Sequence, residues 1–290
     1  MSHKRWTIRE LLHTSTEYLR SKHIENPRLC AELLLGHALK LRRIELYMDL
    51  DRPLTQKEVD AYRSLIKRRI LREPVQYILG VCGFYSIEVK VGPGVLIPRP
   101  ETEVLVDAAL KLIDSHIQER PVRLLDLCTG SGCIALAILK EREETVCVAT
   151  DLSELALNYA MENSKNLKLE QRIELRKGDL FEPIGSQERF HIIVSNPPYV
   201  GESEWSRLQP EVKDYEPRSA LVAGSEGLDL IAPIVQHAKD HLFEQGALIL
   251  EISPMQGKKV LQLMETKGYK NITPLKDLSG GIRAMMGFNL

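Results

Sequence analysis

Long apolar runs are missing from this chain. No window approaches the roughly 18 consecutive apolar residues that a membrane helix needs. The opening stretch, MSHKRWTIRELLHTSTEYL, has charges spread through it, where a secretory signal has an apolar segment. The sequence therefore reads as cytoplasmic, with no membrane partner. Cysteine is scarce and odd in number: Cys30, Cys82, Cys128, Cys133 and Cys147, with no CxxC pair. That excludes a disulfide scaffold and the usual zinc spacings. The eight histidines are scattered without ligand spacing, so no metal is expected. A surplus of positive charge is lacking too. The net charge of −1 leaves no basic footprint, which argues against direct nucleic-acid binding.

What is present is the balance of a folded protein, 43% hydrophobic and 27% charged over 290 residues. That length exceeds the roughly 150 residues of a typical domain, so one large domain or two unequal ones are the options. The charge is unevenly placed. Residues 1–80 carry 16 Lys+Arg against 10 Asp+Glu, and residues 81–290 carry 23 against 30. A surplus of six suits an acidic partner, yet it is also what an ordinary solvated surface shows.

Thr7 with Glu10 and Thr55 with Glu58 make capping boxes ahead of amphipathic runs, and Asn26-Pro27 opens a third run between them. Pro53 and Pro74 stop the neighbouring elements. Residues 1–80 thus predict a small helical bundle. The period then changes. Phe84, Ile87, Val89 and Val91 lead into Gly92-Pro93-Gly94 and on to Val95, Leu96 and Ile97, which predicts strand, turn, strand over a hairpin linker at 81–97. From residue 98 to 290 short apolar strands at 122–127, 146–150, 173–176, 191–195 and 247–252 alternate with helices at 103–116, 132–139, 154–163 and 228–243. Alternation of this kind predicts an α/β domain with a mostly parallel sheet and ligands at the strands' carboxyl ends.

Four short segments carry chemistry. In LLDLCTGSGCIALAI, residues 124–138, a strand ends in a Gly-rich turn that opens directly into a helix. Gly130 and Gly132 allow close backbone approach, and the helix start offers free N–H groups to a nucleotide-like ligand. The same residues satisfy a dinucleotide fingerprint, which keeps an NAD oxidoreductase open. Asp151 ends the next strand in VCVATDLS, where a carboxylate can accept both hydroxyls of a ribose. It is equally a helix N-terminal acid, although Ser153 already offers a cap there. Asp179, in RKGDLFEP, stands where it can receive an adenine amino group, or simply make a Gly-Asp turn. Most specific is Ser195-Asn196-Pro197-Pro198-Tyr199, directly after an apolar strand. Its prolines fix the backbone, so the Asn196 amide, the Pro197 carbonyl and the Tyr199 ring are presented rigidly. Two acceptors and a ring suit a planar NH2 group. An amide nitrogen is a poor nucleophile, and holding its lone pair in line with an electrophile replaces strong base catalysis.

The order LDLCTGSG, ATDLS, GDLFEP, SNPPY resembles class I S-adenosylmethionine-dependent methyltransferases that modify exocyclic or amide nitrogens. LIPRPETEVLV at 96–106 and DYEPRSALVAGSEGLDL at 214–230, with the N-terminal helical segment, narrow the resemblance to the peptide-chain release factor glutamine methyltransferases, over essentially the whole chain. The resemblance implies a Rossmann-like domain with a seven-stranded sheet. It implies transfer of a methyl group from S-adenosylmethionine to N5 of the Gln in the Gly-Gly-Gln loop of class I release factors, modulating translation termination and leaving S-adenosylhomocysteine. By the family's motifs, cofactor contacts fall on Cys128, Thr129, Gly130, Ser131, Gly132, Asp151, Asp179, Leu180 and Asn196, and the target glutamine sits against Asn196, Pro197, Pro198 and Tyr199. Asn196, Pro197 and Tyr199 would carry the chemistry; Arg99 and Glu101 either brace the site or simply make a Pro-delimited helix start with acids in its first turn. The relative acting on a ribosomal protein shares NPPY, and enzymes of adenine or guanine amines in DNA or rRNA share the core, so both stay open as alternatives. A non-catalytic binding module is a further reading. Cys128 departs from the family's usual glycine. If that position needs positive φ, a cysteine there costs on the order of 1 kcal/mol.

Overall fold

A computed structural model describes residues 5–277 and 280–290, in two compact units. The first holds the chain as far as Gly80 together with Gln209–Tyr215. Its helices are α1 (Ile8–Ser21), α2 (Pro27–Leu39), α3 (Arg43–Met48), α4 (Gln56–Ile70) and α5 (Val75–Leu79). Both expected capping boxes form: Thr7 accepts from the Glu10 amide while Glu10 accepts from the Thr7 amide, and Thr55 and Glu58 do the same. Each pair satisfies two of the N–H groups that a helix start leaves over. The bundle closes on Ile8, Leu19, Leu34, Leu35 and Leu46, all fully buried. Tyr62 is buried among them, and its hydroxyl donates to Ser15 Oγ at 2.6 Å and to the Ala31 carbonyl at 3.3 Å.

The second unit spans Val81–Leu208 and Glu216–Leu290. It opens with an antiparallel pair, β1 (Val81–Phe84) and β2 (Ile87–Lys90). The hairpin turns at Tyr85-Ser86, one element earlier than expected, and Val95–Ile97 form no strand. Tyr85 takes the left-handed conformation, φ 51°. Its amide donates to Glu103 Oε1 at 2.8 Å and its hydroxyl to Asp107 at 3.0 Å. Pro93 has no N–H for a ladder, so the Gly-Pro-Gly segment is a loop leading to the buried Val95 and Ile97.

Then follow α6 (Glu103–Ser115), β3 (Val122–Leu127), α7 (Cys133–Glu141), β4 (Thr145–Asp151), α8 (Glu154–Asn166), β5 (Ile173–Lys177), β6 (Phe190–Ser195) and α9 (Glu202–Trp205). The chain next gives α10 (Pro210–Tyr215) to the first unit, then returns for α11 (Ile231–His237), β7 (Leu242–Glu251), α12 (Gly257–Thr266), β8 (Lys270–Lys276) and β9 (Ile282–Phe288). The single helix expected at 228–243 is shorter. α11 gives way to a 3-10 turn at Ala238–His241, because Leu242 is claimed by pairing with Phe190 at the start of β7.

The seven-stranded sheet has the order β5-β4-β3-β6-β7-β9-β8. Strands β3 to β7 run parallel, and β9 is antiparallel to both β7 and β8. Chain order reverses at β3: β4 and β5 go to one side and β6 to the other. That switch point is where open α/β sheets bind ligands. The central strands are near-continuous apolar runs, as burial on both faces requires. One core cluster packs Leu125, Leu127, Ile193, Leu248 and Leu250 against Ile231, Ile234 and Val260. α7 is buried along nearly its whole length.

Candidate functional site

The register sets the carboxyl ends of the strands side by side. Leu127 stands opposite Ser195, and Ser195 opposite Leu250. The Ser195 hydroxyl donates to the Leu127 carbonyl at 2.8 Å, which ties the Gly-rich turn to the start of SNPPY. Around these ends lies a cavity of about 400 Å³, of the size that takes a cofactor-sized molecule. Its wall includes Cys128, Thr129, Gly130, Ser131, Asp151, Asp179, Leu180, Asn196 and Pro198, so most of the predicted residues meet in one place. Val95, Leu96, Pro98, Thr102, Leu152, Ser153 and the segment around Pro217–Ala220 complete it.

The Gly-rich turn is held open by left-handed backbone. Cys128 has φ 58°, Gly130 58° and Gly132 81°, so the condition under which Cys128 is strained is met. Gly132 is the N-cap of α7 and is not on the wall. It is packed so closely that a Cβ would stand 3.1 Å from Leu136 and 3.2 Å from Ala160. Thr129 anchors the turn twice, donating its amide to the Thr150 carbonyl at 3.0 Å and its hydroxyl to Asp126 at 2.6 Å. Asp126 is fully buried, and burial pushes its carboxyl up to about 7 against the Thr129 hydrogen bond. Ser131 Oγ is buried, with no hydrogen-bond partner among the described residues.

Asp151 acts at the head of α8, one of the two places the sequence allowed, and also braces the Gly-rich turn. Its Oδ2 accepts the Gly130 amide at 2.8 Å and its Oδ1 the Ser153 amide at 2.8 Å. Each carboxylate oxygen still has a second lone pair for a hydroxyl. Burial raises its pKa, and the backbone amides of Ser153 and Gly130 oppose the rise. The Asp179-Leu180 turn is fixed from below. Thr150 donates its hydroxyl to the Leu180 carbonyl at 3.3 Å, and Leu180 has φ 43°.

On the other side of the cavity, the Asn196 amide nitrogen donates to Thr102 Oγ1 at 3.2 Å. An amide with its NH2 end engaged presents its oxygen as the acceptor. Pro197 is not on the wall, and neither is Tyr199. The Tyr199 ring packs on the core cluster, and its hydroxyl donates to Glu251 at 3.1 Å. Tyr199 thus departs from the expected place as a stacking surface for a substrate. Burial and Glu251 push its phenol up. Arg99 pairs with Glu216, which also accepts the Ile97 amide at 2.9 Å. It thereby fixes the chain just ahead of the wall residues Pro217–Ala220. Glu101 lies in the fields of Arg283 and Glu251. Cys128 and Cys133 are no nucleophiles, since burial and nearby Asp126 raise both thiols.

Three supporting residues escape sequence reasoning. Thr102 reads as an ordinary helix start, and Glu251 as a polar strand end. Asn163 sits on an amphipathic helix, yet its amide accepts from the Lys90 amide at 2.6 Å and donates to the carbonyls of Lys90 at 3.1 Å and Ser131 at 2.9 Å. It binds the hairpin to the Gly-rich turn. No local pattern signals it, because its partners lie 73 and 32 residues away.

Comparison with known proteins agrees with this geometry. The family described as PrmC N-terminal domain matches residues 10–80, and that described as Methyltransferase small domain matches residues 102–209. A crystal structure of a methyltransferase from Pyrococcus furiosus has a TM-score of 0.51 at 17% identity, covering 71% of this chain and 90% of that one, a likeness of fold. The release factor glutamine methyltransferase of Thermodesulfovibrio yellowstonii is 43% identical, covering 88% of this chain and 90% of the relative. That of Rhodopirellula baltica is 42% identical, covering 97% and 95%. Identity of this order over both units, with the Gly-rich turn and SNPPY meeting at one cavity, places the chain in the release factor glutamine methyltransferase family.

Proposed function

We propose that this protein moves a methyl group from S-adenosylmethionine to the side-chain nitrogen of the Gln in the Gly-Gly-Gln loop of class I release factors. The observation that carries the reading is Asn196. Its amide stands in the cavity wall next to the Gly-rich turn, with its nitrogen held by Thr102 and its oxygen left to accept. The cavity suits the cofactor. The unpartnered Ser131 hydroxyl and the second lone pairs of Asp151 are what a ligand rich in amino and hydroxyl groups would engage. Thr129–Ser131, Asp151 and the Asp179-Leu180 turn would hold it. When bound, it supplies an electrophilic methyl on a sulfonium.

The chain's own part is placement. Asn196 Oδ1 and the Pro197 carbonyl accept the two N–H bonds of the target amide, so its lone pair faces the methyl group. Tyr199 holds that segment on the core. No strong base is needed before transfer, because the proton is lost after the nitrogen has acquired its new bond. Incubation with labelled S-adenosylmethionine and a release factor tests the reading. Label is expected on the factor and absent from one whose Gly-Gly-Gln glutamine is replaced. Label on a ribosomal protein, DNA or rRNA with none on the factor would refute it.

A further inference from the structure

Two stretches of the cavity wall come from loops outside the sheet. One is Gly94, Val95, Leu96 and Pro98 ahead of α6, and the other is Pro217, Ser219 and Ala220. Glu216 joins them. Its side chain is 1% exposed, and it immediately precedes Pro217. Its Oε2 accepts the Ile97 amide at 2.9 Å and its Oε1 the Arg99 guanidinium. Those partners stand on either side of Pro98, so one carboxylate grips the first loop by both flanks and begins the second. The Arg99 carbonyl accepts the Thr102 amide at 3.1 Å, and Thr102 Oγ1 accepts from Asn196 Nδ2 at 3.2 Å. The second loop is tied at its far end as well. Val200, the residue after Tyr199, donates to the Leu221 carbonyl at 2.8 Å and accepts from the Ala223 amide at 3.0 Å. Residues 216–223 are therefore a strap. Glu216 pins it to the segment that leads to Thr102, and Val200 pins it to the end of Asn-Pro-Pro-Tyr.

We infer that Glu216 is a positioning residue for methyl transfer, fixing the slot in which the target amide meets Asn196 by clamping the strap to Ile97 and Arg99. The inference rests on the methyl-transfer reading above, and Glu216 itself is not on the cavity wall. A carboxylate only accepts, and its two oxygens serve two donors at once. A side-chain amide in the same place has one oxygen and one NH2. It must turn the NH2 toward either the Ile97 amide or the guanidinium, and that bond is lost. The clamp thus depends on the carboxylate and not on the shape alone.

Pro98 and Pro217 stiffen the chain beside the clamp, so a shift at Glu216 is carried into both loops. The reaction is sensitive to such a shift, since a misplacement of about 1 Å can cost about a hundredfold in rate. The cofactor side of the cavity is held by other bonds, Thr129 to Asp126, Gly130 to Asp151 and Ser195 to Leu127. None of them involves Glu216. Loosening the clamp should therefore slow transfer and spare cofactor binding.

The test uses the full chain and labelled S-adenosylmethionine, with a release factor and with a short Gly-Gly-Gln peptide as acceptors. Glu216→Gln is expected to lower the single-turnover rate about tenfold or more with either acceptor, because the slot acts on the target side chain itself. Cofactor Kd should stay within about threefold of wild type. Arg99→Met removes the guanidinium and should slow transfer similarly, while Arg99→Lys, which keeps a cation for one carboxylate oxygen, should retain more of the rate. In Glu216→Gln with Arg99→Met the amide has only the Ile97 N–H to serve, so the double variant should be no slower than Glu216→Gln alone. Arg99→Met carries the test if Glu216→Gln does not fold, and failure of both to fold overturns the inference in favour of a purely structural ion pair. Wild-type rates overturn it too, as does a slower rate matched by an equal loss of cofactor affinity, or additive losses in the double variant. A wild type that labels neither acceptor overturns the functional reading and this inference together, whereas an active wild type matched by its variants overturns the inference alone.

Discussion

Cys128 carries a side chain where the backbone of the Gly-rich turn is left-handed. Its left-handed backbone, φ 58°, is a conformation in which a side chain costs roughly 1 kcal/mol or more. Cys128→Gly should relieve that strain, partly offset by the greater freedom of glycine in the unfolded chain. A gain of about 0.5–1 kcal/mol in urea unfolding is expected, with cofactor Kd unchanged or lower; a loss of stability would show that the Cys128 thiol packs better than its backbone is strained. Asn196 and Asp151 separate two roles. Asn196 meets the target only where bonds change, so Asn196→Ala should cut kcat about a hundredfold with cofactor Kd near wild type. Asp151 holds Gly130 and Ser153, so Asp151→Ala should chiefly raise that Kd. Isothermal titration beside single-turnover rates distinguishes them, and identical defects in the two variants would defeat the separation.

Among the elements, what the sequence makes legible is what repeats locally. Strands 122–127 and 191–195 are short apolar runs between turn signals, and both lie where the pattern puts them, as does the Gly-rich turn between β3 and α7. The hairpin turn was hidden because Tyr85-Ser86 carries no turn chemistry while Gly92-Pro93-Gly94 advertises one. β8 gives no signal either. Its burial pattern shows no clean alternation, with five of seven residues exposed, so its membership depends on pairing with β9. α10 is the extreme case. Nothing in PEVKDY says that it belongs with helices more than 130 residues earlier, and the link is an ion pair: Arg69 to Glu211 at 2.8 Å, with Arg72 at 3.3 Å. Burial raises the Glu211 carboxyl, but the Arg69 hydrogen bond, the Glu211 backbone amide, the Arg69 charge and Arg72 together outweigh it and hold its pKa below the ordinary carboxylate value. A carboxyl depressed on folding stabilises above its unfolded pKa and loses that contribution as pH falls through the folded value. Glu211→Ala leaves Arg69, itself 5% exposed, without its partner. A loss of about 3 kcal/mol is expected in urea unfolding at pH 7, shrinking as pH falls through the lowered pKa of Glu211. A pH-independent loss would point to packing in place of charge.

At the scale of the whole molecule, a release factor is far larger than a 400 Å³ cavity, and its target loop must reach the strand ends while the rest of it is held elsewhere. The cavity wall is built entirely from residues of the second unit, from Gly94 to Leu230, so cofactor binding and partner capture can be separated. We propose that residues 1–80 do the capturing, through their surplus of 16 basic over 10 acidic residues and an acidic face on the factor, with association faster at low salt. Deleting those residues is a poor test, because it strips Gln209–Tyr215 of the helices it packs with. Charge reversal in the full chain is better. Lys22, Lys57 and Lys67 are exposed, and replacing all three by Glu removes the surplus without touching the helical core. KM for the release factor should rise at least roughly tenfold, a loss near 1.4 kcal/mol, and the difference from wild type should shrink in high salt. Cofactor Kd and the kcat for a short Gly-Gly-Gln peptide should stay unchanged, since neither depends on a docked domain. An unchanged KM for the whole factor in a folded triple variant would reduce the positive charge of the first unit to ordinary solvation.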